Sequence, residues 1–180
     1  MMQGRKISLR KATEADRGNV YEWLTHSDLT PSMMGPPRFP DHTIPSWEEF
    51  CQDYRPFYFD DSQPRQGRCF IIVSGQTDVG VVCYNALRKD HLTDIDIWLR
   101  SEADYGKGFG TDALLTLTDY LNKEFSITTI AVSPSARNPR AIAAYQKAGF
   151  RLVPPEDYST FIKREDMEYD DNVVLFKEYE

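Results

Sequence analysis

Residues 105–111 read Tyr105-Gly106-Lys107-Gly108-Phe109-Gly110-Thr111, with three glycines in five positions. The preceding stretch, Leu92 to Arg100, alternates polar and apolar residues, which predicts a strand. The following stretch, Gly108 to Lys123, carries apolar residues at helical spacing, which predicts a helix. A glycine bend between a strand and a helix exposes backbone N–H groups at the positive end of the helix. Such a bend can bind a phosphate group.

Two common phosphate-binding motifs do not fit this loop. The Walker spacing G-x-x-x-x-G-K-[ST] is absent. A dinucleotide-binding fingerprint could be placed on Gly108, Gly110 and Ala113, but it needs a carboxylate for the ribose about 20 residues further on. No Asp or Glu occurs from Phe125 to Pro155. A purely structural glycine turn stays open as an alternative.

The elements predicted on both sides of the loop give a single α/β domain over residues 1–180. The 41% of hydrophobic residues is enough for one buried core at this length. Residues 30–45 are rich in proline and are predicted to form a loop. The predicted strands are Ile7–Lys11, Arg68–Ser74, Val79–Leu87, Leu92–Arg100, Ile127–Val132, Phe150–Val153 and Asn172–Lys177. The predicted helices are Thr13–His26, Ser46–Tyr54, Gly108–Lys123 and Asn138–Gly149.

Composition and charge argue against several classes of partner. The formal net charge is −7, and residues 156–180 hold nine acids and three bases. The chain lacks the clustered Lys/Arg face of a nucleic-acid binder, so no nucleic acid is expected. Its apolar runs fall short of the roughly 20 residues that span a membrane, and no signal core is seen. A cytoplasmic location follows. Scattered cysteines and histidines lack ligand spacing, so no metal is expected.

The loop and a later segment together resemble the GCN5-related N-acetyltransferase (GNAT) superfamily. The loop is similar to the acyl-CoA pyrophosphate loop Q/R-x-x-G-x-G/A, with Tyr105 in place of Gln or Arg. Residues 138–150 read N-P-R-A-I-A-A-Y-Q-K-A-G-F, similar to the second signature N-x-x-A-x-x-x-Y-x-K-x-G-F. The resemblance implies a mixed, mostly antiparallel central sheet flanked by helices. It also implies acetyl-CoA as co-substrate and direct acetyl transfer to a primary amine in a ternary complex.

The resemblance further implies roles for individual residues. Amides of the glycine loop would hold the CoA pyrophosphate, and Asn138 would contact the pantetheine arm. Tyr145 would protonate the departing thiolate, although an aromatic anchor between helix and sheet is the alternative. The strand before the loop would pair its backbone with the pantetheine and polarise the thioester carbonyl. The predicted cofactor-binding residues are Trp98, Leu99, Arg100, Tyr105, Gly106, Lys107, Gly108, Phe109, Gly110, Thr111 and Asn138.

Two carboxylates share one face of the strand that precedes the loop. Alternation along the strand puts Asp94 and Asp96 on the same side as Trp98. A carboxylate there can hold an ammonium group and accept its proton, whereas a solvated sheet surface is the alternative. The distance in sequence from Asp96 to the loop is similar to that in aminoglycoside N-acetyltransferases acting at the 6-prime amine. This implies that Asp96 binds the acceptor and acts as a base or a positioning group.

An acidic and aromatic segment, residues 41–61, suits a cationic ligand. Its six acids are opposed by Arg55 alone and alternate with aromatic residues, whose faces attract ammonium groups. Trp47 and Tyr54 are therefore predicted to bind the acceptor with Asp94 and Asp96, although their spacing also fits an ordinary amphipathic helix. The favoured acceptor is an aminoglycoside or other polycationic small molecule. Alternative acceptors are polyamines and protein N-termini, and the alternative function is a non-catalytic CoA-binding module. The chain could also form a homodimer.

Overall fold

The computed structural model describes residues 1–33, 44–164, 167 and 171–180. Its strands are β1 Met2–Gln3, β2 Ser8–Lys11, β3 Arg68–Ser74, β4 Thr77–Tyr84, β5 Leu92–Leu99, β6 Thr129–Val132, β7 Arg151–Leu152 and β8 Leu175–Glu178. Its helices are α1 Arg17–Thr25, α2 Thr30–Met33, α3 Trp47–Asp53, α4 Phe57–Asp60, α5 Phe109–Phe125, α6 Pro139–Lys147 and α7 Tyr158–Phe161. Short 3-10 turns cover Glu14–Asp16, Glu102–Asp104 and Pro155–Asp157.

Within the described ranges, eight strands form one sheet in the order β1-β2-β3-β4-β5-β6-β8-β7. The central pair, β5 and β6, is parallel, and the other neighbouring pairs are antiparallel. The pairing of β5 with β6 runs from Leu92 to Asp94 and then stops, although β5 continues to Leu99. The sheet therefore opens between these two strands beyond Asp94.

Helices cover both faces of the sheet, and strand alternation assigns side chains to each face. One core packs Ile95 of β5 against Leu114 and Leu117 of α5, and Tyr145 of α6 belongs to the same cluster. The opposite core packs Trp98 of β5 with residues of α1, α3 and α4, which are Val20, Phe50, Tyr58 and Phe59. We call these the α5 face and the α1–α4 face.

The predicted mixed sheet flanked by helices is confirmed. The strand predicted over Arg68–Ser74 has the same bounds in the structure, and Asn138 caps α6 with Pro139 in its first position. The prediction of a loop over residues 30–45 is wrong at its start, because Thr30–Met33 forms a helical turn. Residues 34–43 of that segment lie outside the described residues. The four-residue helices α4 and α7 were not predicted, because one turn is too short to show a period.

Among the residues that the structure describes, none of the helices is both long and apolar enough to cross a lipid bilayer.

Candidate active site

The open edge of β5 exposes backbone groups of the strand. The Asn85 N–H donates to the carbonyl of Asp94, and the Arg100 N–H donates to the carbonyl of Val79. The backbone N–H and C=O groups of even-numbered residues in β5 therefore point toward β4. In a regular strand, the backbone groups of odd-numbered residues point toward the opposite edge. The N–H and C=O groups of Ile97 and Leu99 therefore point into the gap where β6 has diverged. An extended ligand can pair with them as a further strand would.

The glycine loop lies at the end of this open edge. Gly106 and Gly108 adopt left-handed backbone angles, with φ of 71° and 84°, which favour glycine. Gly108 is the N-cap of the 17-residue helix α5 and has no side chain to cap it. The N–H groups of Phe109, Gly110 and Thr111 lack partners within the helix. A Cβ on Gly106 would meet no atom within 4 Å, so the approach to the loop is open. These features fit a pyrophosphate.

The N-terminal segment braces the first turn of α5. The buried carboxylate of Asp112 accepts the N–H groups of Arg5, Lys6 and Ile7 at 3.1, 2.7 and 3.1 Å. The Lys6 ammonium group donates to the carbonyl oxygen of Lys107 at 2.9 Å. Three backbone donors on one carboxylate fix the position of the helix start relative to β2. The N-terminal segment therefore holds both the loop and the start of α5.

The acidic pair Asp94 and Asp96 lies on the α1–α4 face, where the sheet opens. Both side chains are half-buried, so the expectation of a fully solvated sheet surface does not describe them. The side-chain amide nitrogen of Asn85 donates to both carboxylates, to Asp94 and, at 3.2 Å, to Asp96. The amide oxygen of Asn85 accepts the hydroxyl of Tyr58 at 2.7 Å. Sequence reasoning did not identify Asn85 or Tyr58.

Helix α6 brings the second sequence segment to the α5 face. The side-chain oxygen of Asn138 accepts the N–H of Ala141 at 3.1 Å and so caps the helix. Tyr145 is 7% exposed and packs edge-on against Phe150, with ring centroids 5.6 Å apart. Its ring belongs to the core on that face of the sheet. Tyr145 and the acidic pair lie on opposite faces of the sheet, on either side of the open edge of β5.

Comparison with known proteins identifies the family. Residues 6–151 match the sequence model of the acetyltransferase (GNAT) domain. The match includes the open edge of β5, the glycine loop and α6. This chain belongs to the GNAT acetyltransferase family.

Individual relatives of this GNAT chain share its fold. The aminoglycoside N(6')-acetyltransferase type 1 of Klebsiella pneumoniae is 29% identical over 154 residues, which cover 80% of this chain and 73% of the relative. The structure of AAC(6')-Ib with paromomycin and acetyl-CoA superposes with a TM-score of 0.69 at 21% identity, over 96% of this chain and 93% of that one. Spermidine N-acetyltransferase from Vibrio cholerae, solved with CoA and spermine, also gives a TM-score of 0.69, at 17% identity over 95% and 94% of the two chains.

The residues predicted to bind CoA divide into backbone and side-chain contributors. The Trp98 backbone faces β4, and its indole N–H donates to the carbonyl of Val20 at 3.2 Å, so the groups at the open edge are those of Leu99 and Ile97. The Arg100 guanidinium is turned back to the buried Asp104, 3.0 Å away. The Lys107 ammonium group lies 3.8 Å from the same carboxylate and 5.7 Å from the centre of the Phe109 ring.

Tyr105, which replaces the Gln or Arg of the GNAT loop pattern, is covered by a cation from α6. The Arg140 guanidinium lies 4.9 Å from the centre of the Tyr105 ring and pairs with Glu102 at 2.7 Å. Arg140 therefore places a guanidinium group beside the loop although the loop itself lacks one. Arg140 is the third residue of the second signature, and the sequence-based prediction assigned it no role.

The aromatic residues of α3 and α4 form a continuous series on the α1–α4 face. Phe50 is buried, Tyr54 contacts the Trp98 ring at 5.6 Å, and Trp47 is 40% exposed. The ring of Tyr54 also lies 5.4 Å from that of Tyr58. The amphipathic-helix interpretation thus accounts for Phe50, whereas Tyr54 belongs to the surroundings of the acidic pair. Asp41 of the same acidic segment lies outside the described residues.

Neither a disulfide nor a cluster of metal-ligating side chains is found among the residues that the structure describes. Cys69 and Cys83 are fully buried and unpaired, and Cys51 is half-buried. Burial raises the pKa of the Cys83 thiol well above its usual value, which keeps it protonated. Across the described part of the chain, no three His, Cys, Asp or Glu side chains cluster as a metal site would require.

Proposed function

We propose that this GNAT enzyme transfers the acetyl group of acetyl-CoA to a primary amine of a polycationic small molecule, with an aminoglycoside as the favoured class. The observation that carries the proposal is the open edge of β5, which has the glycine loop at its end and the acidic pair beside it. Backbone donors for a thioester and carboxylates for an ammonium group thereby meet at one opening. The solved structures of AAC(6')-Ib with paromomycin and of the spermidine enzyme with spermine both contain a polycation.

Each part of the opening has a chemical role in the proposal. When bound, acetyl-CoA supplies the activated acetyl thioester. The amides of Gly106 to Thr111 hold its pyrophosphate, and the N–H groups at the edge of β5 donate to the carbonyl oxygen as negative charge develops there. Asp96 holds the acceptor ammonium and takes its proton directly or through water. Tyr145 donates its hydroxyl proton to the departing sulfur.

Asp94, Tyr54 and Trp47 contribute to the acceptor side. Asp94 adds a second negative charge next to Asp96, which favours acceptors with more than one ammonium group. Tyr54 and Trp47 are proposed to contact the acceptor through their aromatic rings, since a cation near such a ring gains about 0.5–2 kcal/mol. A peptide N-terminus presents one ammonium group and uses less of this surface. That the protein forms a homodimer and lies in the cytoplasm are predictions from its sequence alone.

The test is a panel of amines assayed for CoA release, with acetyl-CoA binding measured separately by calorimetry. We expect aminoglycosides or polyamines to be acetylated and Asp96→Asn to lower kcat/KM by about 10²–10⁴-fold, as loss of a general base does. The dissociation constant of acetyl-CoA should not change in that variant. Asp90→Asn, which removes an exposed carboxylate paired with Arg88, is the control. Activity on peptides with all polycations inert would refute the proposed acceptor class.

A further inference from the structure

A part-buried hydrogen-bonded unit, Tyr58–Asn85, connects helix α4 with the acidic pair. Tyr58 lies on α4, Asn85 directly follows β4, and the two carboxylates lie on β5. The unit therefore joins three segments that are distant in sequence. No predicted site residue accounts for it, and the chemistry described above does not use it.

The Asn85 side chain is fixed in one orientation. A carboxylate accepts hydrogen bonds and does not donate, so the amide nitrogen must face Asp94 and Asp96 and the amide oxygen must face Tyr58. The Asn85 N–H donates to the Asp94 carbonyl at 3.0 Å, and the Asn85 carbonyl accepts the Thr93 hydroxyl at 3.1 Å. The backbone of Asn85 is thus attached to β5 as well. Both amide hydrogens are committed to the acidic pair.

The Tyr58 side chain is held so that its hydroxyl donates to the amide oxygen of Asn85. Its side chain is buried, and burial raises the pKa of Tyr58 well above its ordinary value, so the hydroxyl keeps its proton. Gly67 packs against its ring, and a Cβ on Gly67 would lie 2.5 Å from a Tyr58 ring atom. The ring of Tyr54 also packs against it, with centroids 5.4 Å apart. The hydroxyl position is therefore fixed by packing.

An amide differs from a lysine or arginine in what it does to two carboxylates. It donates one hydrogen to each and carries no charge, so it aligns the carboxylates without neutralising them. Two negative groups two residues apart on a strand would otherwise repel and turn away from one another. A carboxylate oxygen has more than one lone pair, so a hydrogen bond from Asn85 does not by itself prevent it from accepting another from a cation.

We infer that Asn85 is a positioning residue for the acceptor, and that Tyr58 locks it. The unit holds Asp94 and Asp96 at a fixed separation so that together they bind the ammonium groups of one polycationic acceptor. The inference rests on the proposed function and adds the residues that set its acceptor selectivity. Neither residue touches acetyl-CoA in this assignment.

The test measures acceptor KM, kcat and acetyl-CoA dissociation constants for Asn85→Ala, Tyr58→Phe and Asn85→Asp, with kanamycin and spermine as probes. Removing the donors of Asn85 should raise the acceptor KM by about tenfold or more, and Tyr58→Phe by about threefold to tenfold. The acetyl-CoA dissociation constant should stay within about twofold, because these variants remove no contact with acetyl-CoA. A tenfold change would correspond to about 1.4 kcal/mol of lost binding free energy.

Tyr84→Phe is the matched control. Tyr84 is also buried and its hydroxyl donates to the Pro64 carbonyl at 2.6 Å, but Tyr84 lies on the α5 face. Both Tyr→Phe variants lose one buried hydrogen bond and should lose similar stability. The acceptor KM should change in Tyr58→Phe and not in Tyr84→Phe.

The Asn85→Asp variant supplies a pH readout that a purely structural role would not give. It replaces the donor by a third acceptor of the same size, so the acceptor KM should rise steeply at neutral pH. It should recover as the pH falls, when a shared proton restores one hydrogen bond among the three carboxyl groups. Wild-type protein should not show this recovery.

The outcomes separate this inference from the proposed function. If the wild type acetylates a probe and Asp96→Asn abolishes activity, while Asn85→Ala and Tyr58→Phe behave like Tyr84→Phe, the positioning role is refuted and the function stands. If the wild type neither binds nor acetylates either probe, both are refuted. A selective rise in acceptor KM with pH-dependent recovery in Asn85→Asp supports the inference.

Discussion

The cofactor side and the acceptor side of the opening in the sheet are built in different ways. On the cofactor side, the proposed function assigns the binding to backbone groups of one continuous segment, from the edge of β5 through the glycine loop into α5. On the acceptor side, side chains converge from four separate segments: Tyr54 follows α3, Tyr58 lies on α4, Asn85 follows β4 and Asp96 lies on β5. Backbone recognition tolerates changes in side chains, whereas the acceptor side depends on each one. The acceptor side can therefore change its specificity while the cofactor side is kept.

Tyr145 lies where the two sides meet, and its replacement by Phe should have the largest effect. Tyr145→Phe keeps the ring that packs against Phe150 and removes the hydroxyl. If that hydroxyl protonates the sulfur, kcat should fall by about 10²–10⁴-fold, with little change in the free energy of unfolding. Steady-state kinetics with thermal melting would measure both.

A matched variant separates proton donation by Tyr145 from its anchoring role. Tyr120→Phe removes a hydroxyl from α5, where the ring packs edge-on against Phe70 away from the open edge. It should leave kcat unchanged. If Tyr145→Phe also retains full kcat, Tyr145 is an anchor between α6 and the sheet and not the acid.

Arg17 tests whether the acceptor side can be weakened on its own. Its guanidinium donates to the carbonyl of Tyr54 at 2.7 Å and to that of Cys51 at 3.3 Å, and so holds the end of α3 against α1. Arg17→Met keeps the bulk but leaves these carbonyls without their charged donor. We expect a loss of about 1.5–3 kcal/mol in the free energy of unfolding, measured by urea denaturation.

The same variant should raise the acceptor KM without changing the acetyl-CoA dissociation constant, since Tyr54 packs against Trp98 on the acceptor side. Arg55→Met is the control, because Arg55 also donates to a backbone carbonyl, that of Gln52 at 3.2 Å, but from an exposed position. Its effect on stability should be within about 0.5 kcal/mol. If the two variants lost equal free energy of unfolding, or if Arg17→Met bound acetyl-CoA more weakly, the acceptor side would not be independent of the cofactor side.

The difference between the two sides also explains what the sequence could predict. The cofactor side is encoded by contiguous patterns: alternation in β5, the glycines of residues 106–110, and the periodicity of α5. Asp94 and Asp96 were found for the same reason, because they lie on one strand. Tyr58 and Asn85 were missed because a one-turn helix has no period and because a residue that follows a strand gives no sign of which side chains it meets. Asp112 was missed because its partners are backbone groups 105 to 107 positions away.

Two glycines of the loop allow the cofactor side to be weakened by small, graded steps. Gly106→Ala and Gly108→Ala both force alanine into the left-handed region, which costs about 1–2 kcal/mol. The free space around them differs, because a Cβ on Gly106 meets nothing within 4 Å, whereas one on Gly108 would lie 3.1 Å from the Lys6 ammonium nitrogen. Both variants should lose similar stability in thermal melts. Gly108→Ala should in addition displace Lys6 from the Lys107 carbonyl.

The acetyl-CoA dissociation constant measured by calorimetry should therefore rise more in Gly108→Ala than in Gly106→Ala, with acceptor selectivity unchanged in both. Gly18→Ala is the reference, because Gly18 is helical and open on all sides, and alanine there should stabilise the protein by about 0.5–1 kcal/mol. Equal rises for the two loop variants would mean that backbone strain alone disturbs the phosphate site. A larger rise for Gly108→Ala would mean that the contact of Lys6 with the loop holds the amides in place, so the N-terminal segment is part of the cofactor side.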